Sequence, residues 1–313
     1  MSKSWIGQFK PKGVVCHDFW RLRNLAPCIH GCEFCYLPST YSRFGFPSPI
    51  TETDLPAMEA DVGKWLKRCR LQEECQCITN SAMCTALCQV REGAKGLILN
   101  AGELSDSFAP DICAQASLRL IELFRKQDRH TLLLVTKSNR IAEILKDMEP
   151  TERVILSFSV GQDMYNHRPI GPNMYEILVS AKWARAHRWR VRLRIDPIIY
   201  QDFGIDIQRM EAYGNSGTYE RITLGTLRAT AAHYRYLRNG NEVQRALAAL
   251  LTRQSDGGSH PYRLPFEQRV AIYQQALSDL AGLSSSIGIC KETPAIFAAL
   301  GLKPEDNRCN CMI

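Results

Sequence analysis

Short apolar runs alternate with helix-like stretches over most of this 313-residue chain. Runs of that length predict strands, and apolar residues recurring three and four positions apart predict helices. From residue 96 onward the predicted strands are 96–100, 131–136, 153–160, 189–195 and 221–224, and the predicted helices are 111–127, 139–148, 175–187 and 205–214. Together with an earlier apolar run at 22–26, this order predicts six βα units around a parallel sheet. We therefore expect an α/β fold, a partial (β/α)6 TIM-like barrel whose chemistry lies at the carboxyl ends of the strands.

The alternation ends near residue 240. A polar loop at 255–261 precedes a predicted amphipathic helix over 265–280, and a short tail that contains cysteines follows. The apolar face of that helix is expected to carry Phe266, Val270, Tyr273, Leu277 and Leu280. We expect a barrel domain over residues 1–240, with a cysteine-rich insertion at about 69–91, and a C-terminal helical extension with a cysteine-bearing tail over 241–313.

The composition is that of an ordinary globular protein, with 45% hydrophobic and 23% charged residues. It excludes collagen-like, low-complexity and acidic disordered classes. The longest apolar runs, such as 132–135, are far shorter than the ~18 residues that cross a bilayer. The first residues contain no apolar signal region. These features predict a cytoplasmic protein without a membrane partner.

Thirteen cysteines are the unusual part of this composition. Thiols stay reduced in the cytoplasm, where clustered cysteines bind metal or take part in chemistry more often than they form disulfides. Ten of the thirteen fall into three groups along the chain: Cys28, Cys32 and Cys35; Cys75, Cys77, Cys84 and Cys88; and Cys290, Cys309 and Cys311. The other three, Cys16, Cys69 and Cys113, stand apart.

The first cysteine group has the spacing C-x3-C-x2-C, directly after the predicted first strand, and Tyr36 follows it. Three thiolates so close together can bind three irons of a 4Fe–4S cluster, which leaves the fourth iron open to a substrate or cofactor. Structural zinc usually takes four protein ligands in paired short spacings. The loop therefore favours a cluster over zinc.

This loop resembles the cluster loop of radical S-adenosylmethionine enzymes, with Cys28, Cys32, Cys35 and Tyr36 as the matching residues. In that superfamily the open iron binds S-adenosylmethionine, and an electron from the reduced cluster cleaves it to a 5′-deoxyadenosyl radical that abstracts a hydrogen atom from the substrate. The resemblance implies a 4Fe–4S cluster and S-adenosylmethionine as cofactors. It also implies an electron donor such as flavodoxin or ferredoxin as a partner.

Segments at the other predicted strand ends are similar to those of the spore photoproduct lyase branch, whose enzymes reverse a thymine dimer in DNA. The similarity extends over about residues 13–300, and its segments are 100–106, 135–138, 158–160, 194–197, 224–228, 262–273 and 289–292. It implies that Gly102 and Glu103 bind the methionine ammonium of the cofactor, with Ser105 beside them. It further implies that Lys137 and Ser159 bind the cofactor carboxylate and ribose, and that Tyr36 takes part in a radical relay.

One position departs from that branch. The lyases carry a hydrogen-donating cysteine where this chain has Leu104, and a leucine cannot donate a hydrogen atom in that way. The departure favours modification or rearrangement of a base over dimer reversal. A cysteine of the C-terminal tail is the candidate replacement, so Cys311 joins Tyr36 as a candidate catalytic residue.

The fifth predicted strand alternates strictly between arginine and apolar residues. One face carries Arg190, Arg192 and Arg194, and the other carries Val191, Leu193 and Ile195. In a barrel the apolar face packs against helices, so the arginines are expected to face the lumen or the mouth, where a cation needs an anion. Arg194 is therefore a candidate to bind a cofactor carboxylate, a phosphate or an amino-acid carboxylate.

Basic and aromatic residues concentrate near the fifth and sixth predicted strands. Residues 182–194 hold six lysines and arginines, no acidic residue and two tryptophans, and the formal charge of the chain is +7. This pattern fits phosphate contacts and base stacking. A nucleic acid, and DNA in particular, is thus the expected substrate, with its base flipped into the mouth of the barrel.

The two remaining cysteine groups have open roles. Cys75, Cys77, Cys84 and Cys88 either hold zinc or a second iron–sulfur cluster, or form a cysteine-rich loop without a ligand. Cys290, Cys309 and Cys311 either hold an auxiliary cluster or act as redox-active donors near the active site.

Three functional hypotheses follow. The first is a radical S-adenosylmethionine enzyme of a lyase, isomerase or modifying type that acts on a nucleic-acid base or a modified DNA base, in modification, rearrangement or repair. The second keeps the chemistry but has a peptide, amino acid or small metabolite as substrate, with auxiliary clusters. The third is a non-enzymatic, metal-stabilised protein that binds nucleic acid or senses redox state.

Overall fold

The computed structural model describes residues 5–9, 11–16, 19–23, 26–44, 49–74, 96–200, 207, 218–255 and 258–312. The strands are β1 (Ile6–Phe9), β2 (Phe19–Leu22), β3 (Ile98–Ala101), β4 (Thr131–Thr136), β5 (Val154–Val160), β6 (Met164–Tyr165), β7 (Arg168–Pro169), β8 (Arg190–Ile198), β9 (Arg221–Thr226), β10 (Arg228–Ala229), β11 (Thr252–Arg253), β12 (Tyr262–Arg263) and β13 (Ile287–Ile289). The helices are α1 (Leu37–Phe44), α2 (Leu55–Glu74), α3 (Asp111–Arg125), α4 (Ile141–Leu145), α5 (Met174–Ala186), α6 (Ala231–Arg238), α7 (Glu242–Ala249), α8 (Phe266–Leu280) and α9 (Pro294–Ala299), with short 3-10 helices at Glu52–Asp54, Ala281–Leu283 and Pro304–Asp306.

The central sheet has eight strands in the order β1-β2-β3-β4-β5-β8-β9-β13. All neighbouring pairs are parallel except β1 with β2. The six predicted strands are β2, β3, β4, β5, β8 and β9, so the expected α/β fold with a partial TIM-like barrel is confirmed. Two strands of this sheet were not predicted: β1 joins one edge of the sheet and β13 the other.

The first predicted strand is displaced toward the N-terminus. It was expected at 22–26, but β2 ends at Leu22, because its register follows pairing with β1 on one side and β3 on the other. The predicted helix 205–214, apart from Ile207, and the second cysteine group at 75, 77, 84 and 88 lie outside the described residues. Among the described residues, no helix is long and apolar enough to span a membrane.

Successive residues of the central strands face two different apolar layers, as strand geometry requires. On β8 the predicted apolar face is confirmed, since Val191, Leu193 and Ile195 all lie in the main core that the helices cover. On β5, Ile155 faces the other way, into a small apolar layer inside the barrel. Apolar side chains therefore fill part of the barrel interior, and the remaining interior positions are polar.

The helix over the C-terminal segment is confirmed as α8, but its buried face differs from the predicted one. Phe266, Val270 and Leu277 are only half-buried, whereas Arg269 is fully buried. The reason is an ion network that periodicity does not reveal: Glu292 accepts hydrogen bonds from Arg269, Arg263, Tyr273 and Thr226 at the end of β9. This network ties α8 and the residues after β13 to the barrel.

The C-terminal tail enters the barrel and occupies its polar interior. Arg192 Nη1 donates to the carbonyls of Asn310 and Met312 at 2.7 and 2.6 Å. Arg221 Nη1 donates to the carbonyls of Cys309 and Met312, both at 2.8 Å. The expectation that the strand-five arginines face an external anion is therefore wrong for Arg192, whose partners are Glu220 and the tail of the same chain.

Arg190 also departs from that expectation. Its guanidinium forms a two-point ion pair with Glu220, at 2.9 and 2.7 Å, and donates to the carbonyl of Glu152. The single carboxylate of Glu220, in the loop before β9, thus pairs with both arginines. The sequence pattern placed the arginines on one face correctly but could not show that the protein supplies their anion.

Asn310 fixes the tail by side-chain bonds to three strands. Its Oδ1 accepts from Thr223 Oγ1 at 2.8 Å, and its Nδ2 donates to Ser157 Oγ at 3.0 Å and to the carbonyl of Leu193 at 2.8 Å. We expect Asn310→Ala to lower the free energy of unfolding by about 2–4 kcal/mol, because it leaves several buried polar groups unsatisfied. Chemical denaturation measures this; Asn239→Ala, at an exposed position after α6, is the control with an expected change under ~0.5 kcal/mol. An equal effect of both variants would contradict the role given to Asn310.

Candidate active site

A cavity of about 410 Å³ lies at the carboxyl ends of the barrel strands. Its wall combines the first cysteine loop with residues at, or directly after, the carboxyl ends of β3, β4, β5, β8 and β9. Ten sequence-predicted site residues line it: Cys28, Cys32, Cys35, Tyr36, Gly102, Glu103, Ser105, Lys137, Ser159 and Arg194. Residues that are far apart in sequence thus meet at the end of the barrel where such folds place their chemistry.

The cysteine loop runs from the region after β2 into helix α1. The backbone N–H of Cys35 donates to the carbonyl of Cys32 at 3.0 Å, and the N–H of Leu37 donates to Cys35 Sγ at 3.4 Å. All three thiols of the loop are free and half-buried. Burial raises the pKa of Cys28 to about 12 and that of Cys35 to about 11.

These thiols fit an iron–sulfur cluster. Buried, uncharged thiols facing a cavity become thiolates when a metal centre supplies positive charge. The N–H of Leu37 is already directed at one sulfur, and Lys137 lies near enough to Cys32 to lower the pKa of its thiol, although burial dominates and raises it. Among the described residues, no group of three or more Cys, His, Asp or Glu side chains is arranged to hold a single metal ion.

Asp106 joins the cysteine loop to two strand ends. Its carboxylate lies 3.0 Å from Nε2 of His30 in the loop, and it accepts from Thr136 Oγ1 at 2.8 Å and from the backbone N–H of Lys137 at 2.6 Å. Burial alone would raise the pKa of Asp106, but the hydrogen bonds from His30 and the backbone lower it below its usual range. Sequence reasoning did not single out His30 or Asp106, although Asp106 belongs to the segment after the second predicted strand.

The hairpin after β5 supports the other side of the loop. The N–H of Glu33 donates to the carbonyl of Ile170 at 2.9 Å. A Cβ at Gly161 would lie 3.3 Å from the ring of Phe34, and one at Gly171 would lie 3.5 Å from it. Small residues at both ends of the hairpin let the loop pack closely against it.

Gly102 allows the segment after β3 to turn beneath the cavity. Its φ is +91°, and a Cβ there would lie 2.3 Å from the carbonyl oxygen of Val135. The next residue, Glu103, has its carboxylate paired with Arg21 at 3.2 Å and Lys291 at 3.8 Å. Its carbonyl accepts from the hydroxyl of Tyr36 at 2.5 Å, so the cysteine loop and this segment are directly joined.

We expect Gly102→Ala to lower the free energy of unfolding by ~2–3 kcal/mol, because the backbone conformation and the clash with Val135 both oppose a side chain. Gly63→Ala is the matched control. A Cβ at Gly63, inside α2, meets nothing within 4 Å, so the same substitution there is expected to be neutral or stabilising. Chemical denaturation of both variants checks this, and an unchanged stability of Gly102→Ala would show that the turn tolerates a side chain.

Lys137 and Ser159 lie together, as predicted. Lys137 Nζ donates to the carbonyl of Ser159 at 2.8 Å and lies 5.7 Å from the ring centroid of Phe34. Ser105 lies beneath the same wall, with its hydroxyl 3.6 Å from the thiol of Cys113. Lys137 therefore presents its charge to the cavity without a carboxylate partner among the described residues.

The opposite wall contains a second pair of charged residues. Asp196 and Arg228 form a two-point ion pair at 3.2 and 2.7 Å, and each holds the other in its charged form. Arg194, two residues before Asp196, donates through Nη2 to Cys311 Sγ at 3.1 Å. Its Nε is buried and has no hydrogen-bond partner among the described residues.

Three cysteines expected near the active site approach one another, and a fourth joins them. Cys311 Sγ accepts from Arg194 and, at 3.4 Å, from Asn100 Nδ2, while Cys290 Sγ accepts from Arg228 at 3.8 Å. A hydrogen bond donated by Cys309 is the largest contribution that lowers the pKa of Cys311, to about 6. Cys16 was expected to stand apart from the three groups, but it interacts electrostatically with Cys290 and Cys311. The reason is that Val15, the preceding residue, forms a backbone bridge with Glu292 and so brings the N-terminal segment to the residues after β13.

No protein-family profile and no curated protein matches the sequence. Solved structures do match. Spore photoproduct lyase complexed with dinucleoside spore photoproduct superposes with a TM-score of 0.59 at 15% identity, over 84% of this chain and 74% of that chain. A mutant of that enzyme with bound AdoMet and dinucleoside spore photoproduct gives a TM-score of 0.58 at the same identity and coverage. The chain therefore has the fold of spore photoproduct lyase.

Proposed function

We propose that this protein is a radical S-adenosylmethionine enzyme with a 4Fe–4S cluster held by Cys28, Cys32 and Cys35. The observation that carries the proposal is the meeting of three free thiols with Gly102, Lys137 and Ser159 around one cavity. When bound, the cluster and S-adenosylmethionine supply a carbon-centred radical that abstracts a hydrogen atom from the substrate.

The residues of the cavity have distinct proposed tasks. Lys137, a cation without a carboxylate partner among the described residues, binds the cofactor carboxylate, and Ser159 binds its ribose. The Gly102–Glu103 segment accepts from the cofactor ammonium, with Ser105 below it. Arg194, whose Nε has no hydrogen-bond partner in the part of the chain that the structure describes, is available to the same or a neighbouring anion.

Tyr36 and Cys311 are the proposed catalytic residues. The Tyr36 hydroxyl reaches the segment that binds the cofactor, through its bond to the carbonyl of Glu103. Cys311 lies behind Arg194, which lines the cavity, whereas Leu104 stands in the wall itself. Because leucine supplies no exchangeable hydrogen, the return of a hydrogen atom to the product is assigned to Cys311 in its thiol form, which arises when the proton of the Cys309 thiol that hydrogen-bonds to it passes to Cys311.

A nucleic-acid base is the proposed substrate. Five basic side chains but only three carboxylates line the cavity: Arg21, Lys137, Arg194, Arg228 and Lys291 against Glu103, Asp106 and Asp196. This excess suits an anionic substrate, and the stacked rings of Tyr234 and Tyr262, 3.8 Å apart, lie next to residues of the wall. The solved enzyme of the same fold binds a dinucleoside photoproduct.

Base modification or rearrangement fits this site better than dimer reversal, because Leu104 lines the cavity where the lyases carry their donor cysteine, whereas Cys311 lies behind Arg194 and outside the wall. A peptide or small-metabolite substrate is the second candidate, and the anion sites at Lys137 and Arg194 would suit its carboxylate. An electron donor of the flavodoxin or ferredoxin class is the proposed partner.

Deuterium transfer tests the substrate. The reduced, reconstituted enzyme is incubated with S-adenosylmethionine and oligonucleotides that carry deuterium on their bases and methyl groups, in parallel with deuterated peptides. Deuterium in 5′-deoxyadenosine from an oligonucleotide is the expected result. Deuterium only from peptides would favour the second candidate, and no 5′-deoxyadenosine at all would favour a non-enzymatic protein.

A further inference from the structure

A turn at the end of the chain brings two sulfurs together inside the barrel. The N–H of Met312 donates to the carbonyl of Cys309 at 3.1 Å, which closes a turn around Asn310 and Cys311. Arg192, Arg221 and Asn310 hold this turn against the strands. The two cysteines are thus fixed near each other by the fold rather than by chance contact of a frayed terminus.

Three donors converge on the sulfur of Cys311. Arg194 Nη2 lies at 3.1 Å, Asn100 Nδ2 at 3.4 Å, and the thiol of Cys309 completes the set. Donors of this kind, one of them a guanidinium, stabilise a thiolate over a thiol. By contrast, burial raises the pKa of Cys16 to about 12 and that of Cys113 to about 11, which favours the protonated thiol at neutral pH.

We propose that Cys309 and Cys311 form a redox-active dithiol that a small peroxide oxidises to an intramolecular disulfide. Cys311 is half-buried, and its sulfur lies 3.1 Å from Nη2 of Arg194, a residue that lines the cavity. A molecule as small as hydrogen peroxide has to pass only this one side chain to reach it from the cavity. Cys309 is almost fully buried and in contact with it, as a resolving thiol must be. The inference goes beyond the proposed function and does not depend on it.

The chemistry balances in two steps. The Cys311 thiolate attacks one peroxide oxygen, the O–O bond breaks, and a sulfenic acid and hydroxide form. The Cys309 thiol then attacks that sulfur, the S–O bond breaks, and a disulfide and water form once the proton of Cys309 has reached the leaving oxygen. Two electrons pass from the dithiol to the peroxide.

Oxidation of the two cysteines would change the electrostatic charge of the active-site cavity, because Arg194 contacts Cys311 and also lines the cavity. In the reduced protein its guanidinium donates to Cys311 Sγ, and this contact favours the thiolate form of that sulfur. A disulfide carries no charge, so Arg194 loses that anion while it still faces the cavity. The redox state of the tail thus sets how much positive charge the cavity presents.

Peptide mass spectrometry of the full-length protein tests the proposal. The protein, purified without oxygen, is treated with graded hydrogen peroxide, alkylated and cut with trypsin, which cleaves after Arg308 and leaves Cys309 and Cys311 on one peptide. We expect this peptide to lose two hydrogen atoms and both alkylation sites. The loss should be at least about tenfold faster than oxidation of Cys113 in the same sample.

Two serine variants separate the roles. In Cys309→Ser, Cys311 should accumulate as a sulfenic acid that a dimedone probe labels, and in Cys311→Ser, Cys309 should stay reduced. A tail peptide that reacts no faster than Cys113 would overturn the proposal. So would zinc or iron that stays with the tail cysteines and protects them from alkylation, since those sulfurs would then be metal ligands.

Discussion

Cys32→Ala is expected to abolish binding of the iron–sulfur cluster, and with it all cleavage of S-adenosylmethionine. Cys32 is the middle thiol of the loop, and its sulfur lies 3.7 Å from the position of a Cβ at Gly171, between the loop and the hairpin after β5. Two remaining thiols cannot hold three irons of a cubane cluster. The expected iron content falls from about four per chain to near zero.

Iron and sulfide analysis, with the visible absorption spectrum after anaerobic reconstitution, measures this effect. Cys113→Ala is the matched control, because Cys113 is buried beside Ser105 and outside the loop, and it should bind the same amount of iron as the unmodified protein. A Cys32→Ala protein that retains about four irons per chain would show that the cluster is held elsewhere.

Glu292→Ala is expected to cause the largest loss of stability, about 3–5 kcal/mol in the free energy of unfolding. Glu292 is fully buried and pairs with Arg263 and Arg269, which are also fully buried. Removing its carboxylate leaves two guanidinium groups without their anion in the interior, and it also removes the acceptor of Tyr273 and Thr226. Few other single substitutions in the described part of the chain would leave two buried guanidinium groups without a counter-ion.

Denaturant unfolding of the Glu292→Ala variant and of the unmodified protein measures this loss. Glu59→Ala is the control substitution. Glu59 pairs with Arg119 at 3.3 Å on a solvent-accessible helix pair, so its loss should change the free energy of unfolding by about 0–1 kcal/mol. Equal changes in the two variants would mean that the network around Glu292 is not a stabilising centre.

Local patterns were sufficient to predict the barrel. The strands β3, β4, β5 and β9 each contain a recognisable apolar run, and β8 is recognisable by its strict alternation of arginine and apolar residues. The order of strands and helices then indicates a parallel sheet. The position of the candidate site followed as well, because residues after parallel strands meet at one end. β1 and β13 were missed because each is only three or four residues long, and β13 in addition pairs with β9, which is distant in sequence.

Long-range charge pairing was beyond what the sequence could reveal. The alternation of arginines on β8 correctly predicted one polar face, but their partners come from Glu220 and from the last residues of the chain. The same holds for Glu292, which joins residues of β9, β12 and α8. Cys16 is a further contact that the sequence does not reveal, because it is isolated in sequence but interacts with Cys290 and Cys311 in the structure.

Formation of 5′-deoxyadenosine from S-adenosylmethionine by the reconstituted and chemically reduced protein tests the central proposal most directly. The proposed function predicts that the unmodified protein forms 5′-deoxyadenosine, that Lys137→Ala forms much less of it, and that Cys32→Ala forms none. A protein that contains the full cluster, as judged by iron and sulfide analysis, and still forms no 5′-deoxyadenosine would contradict it.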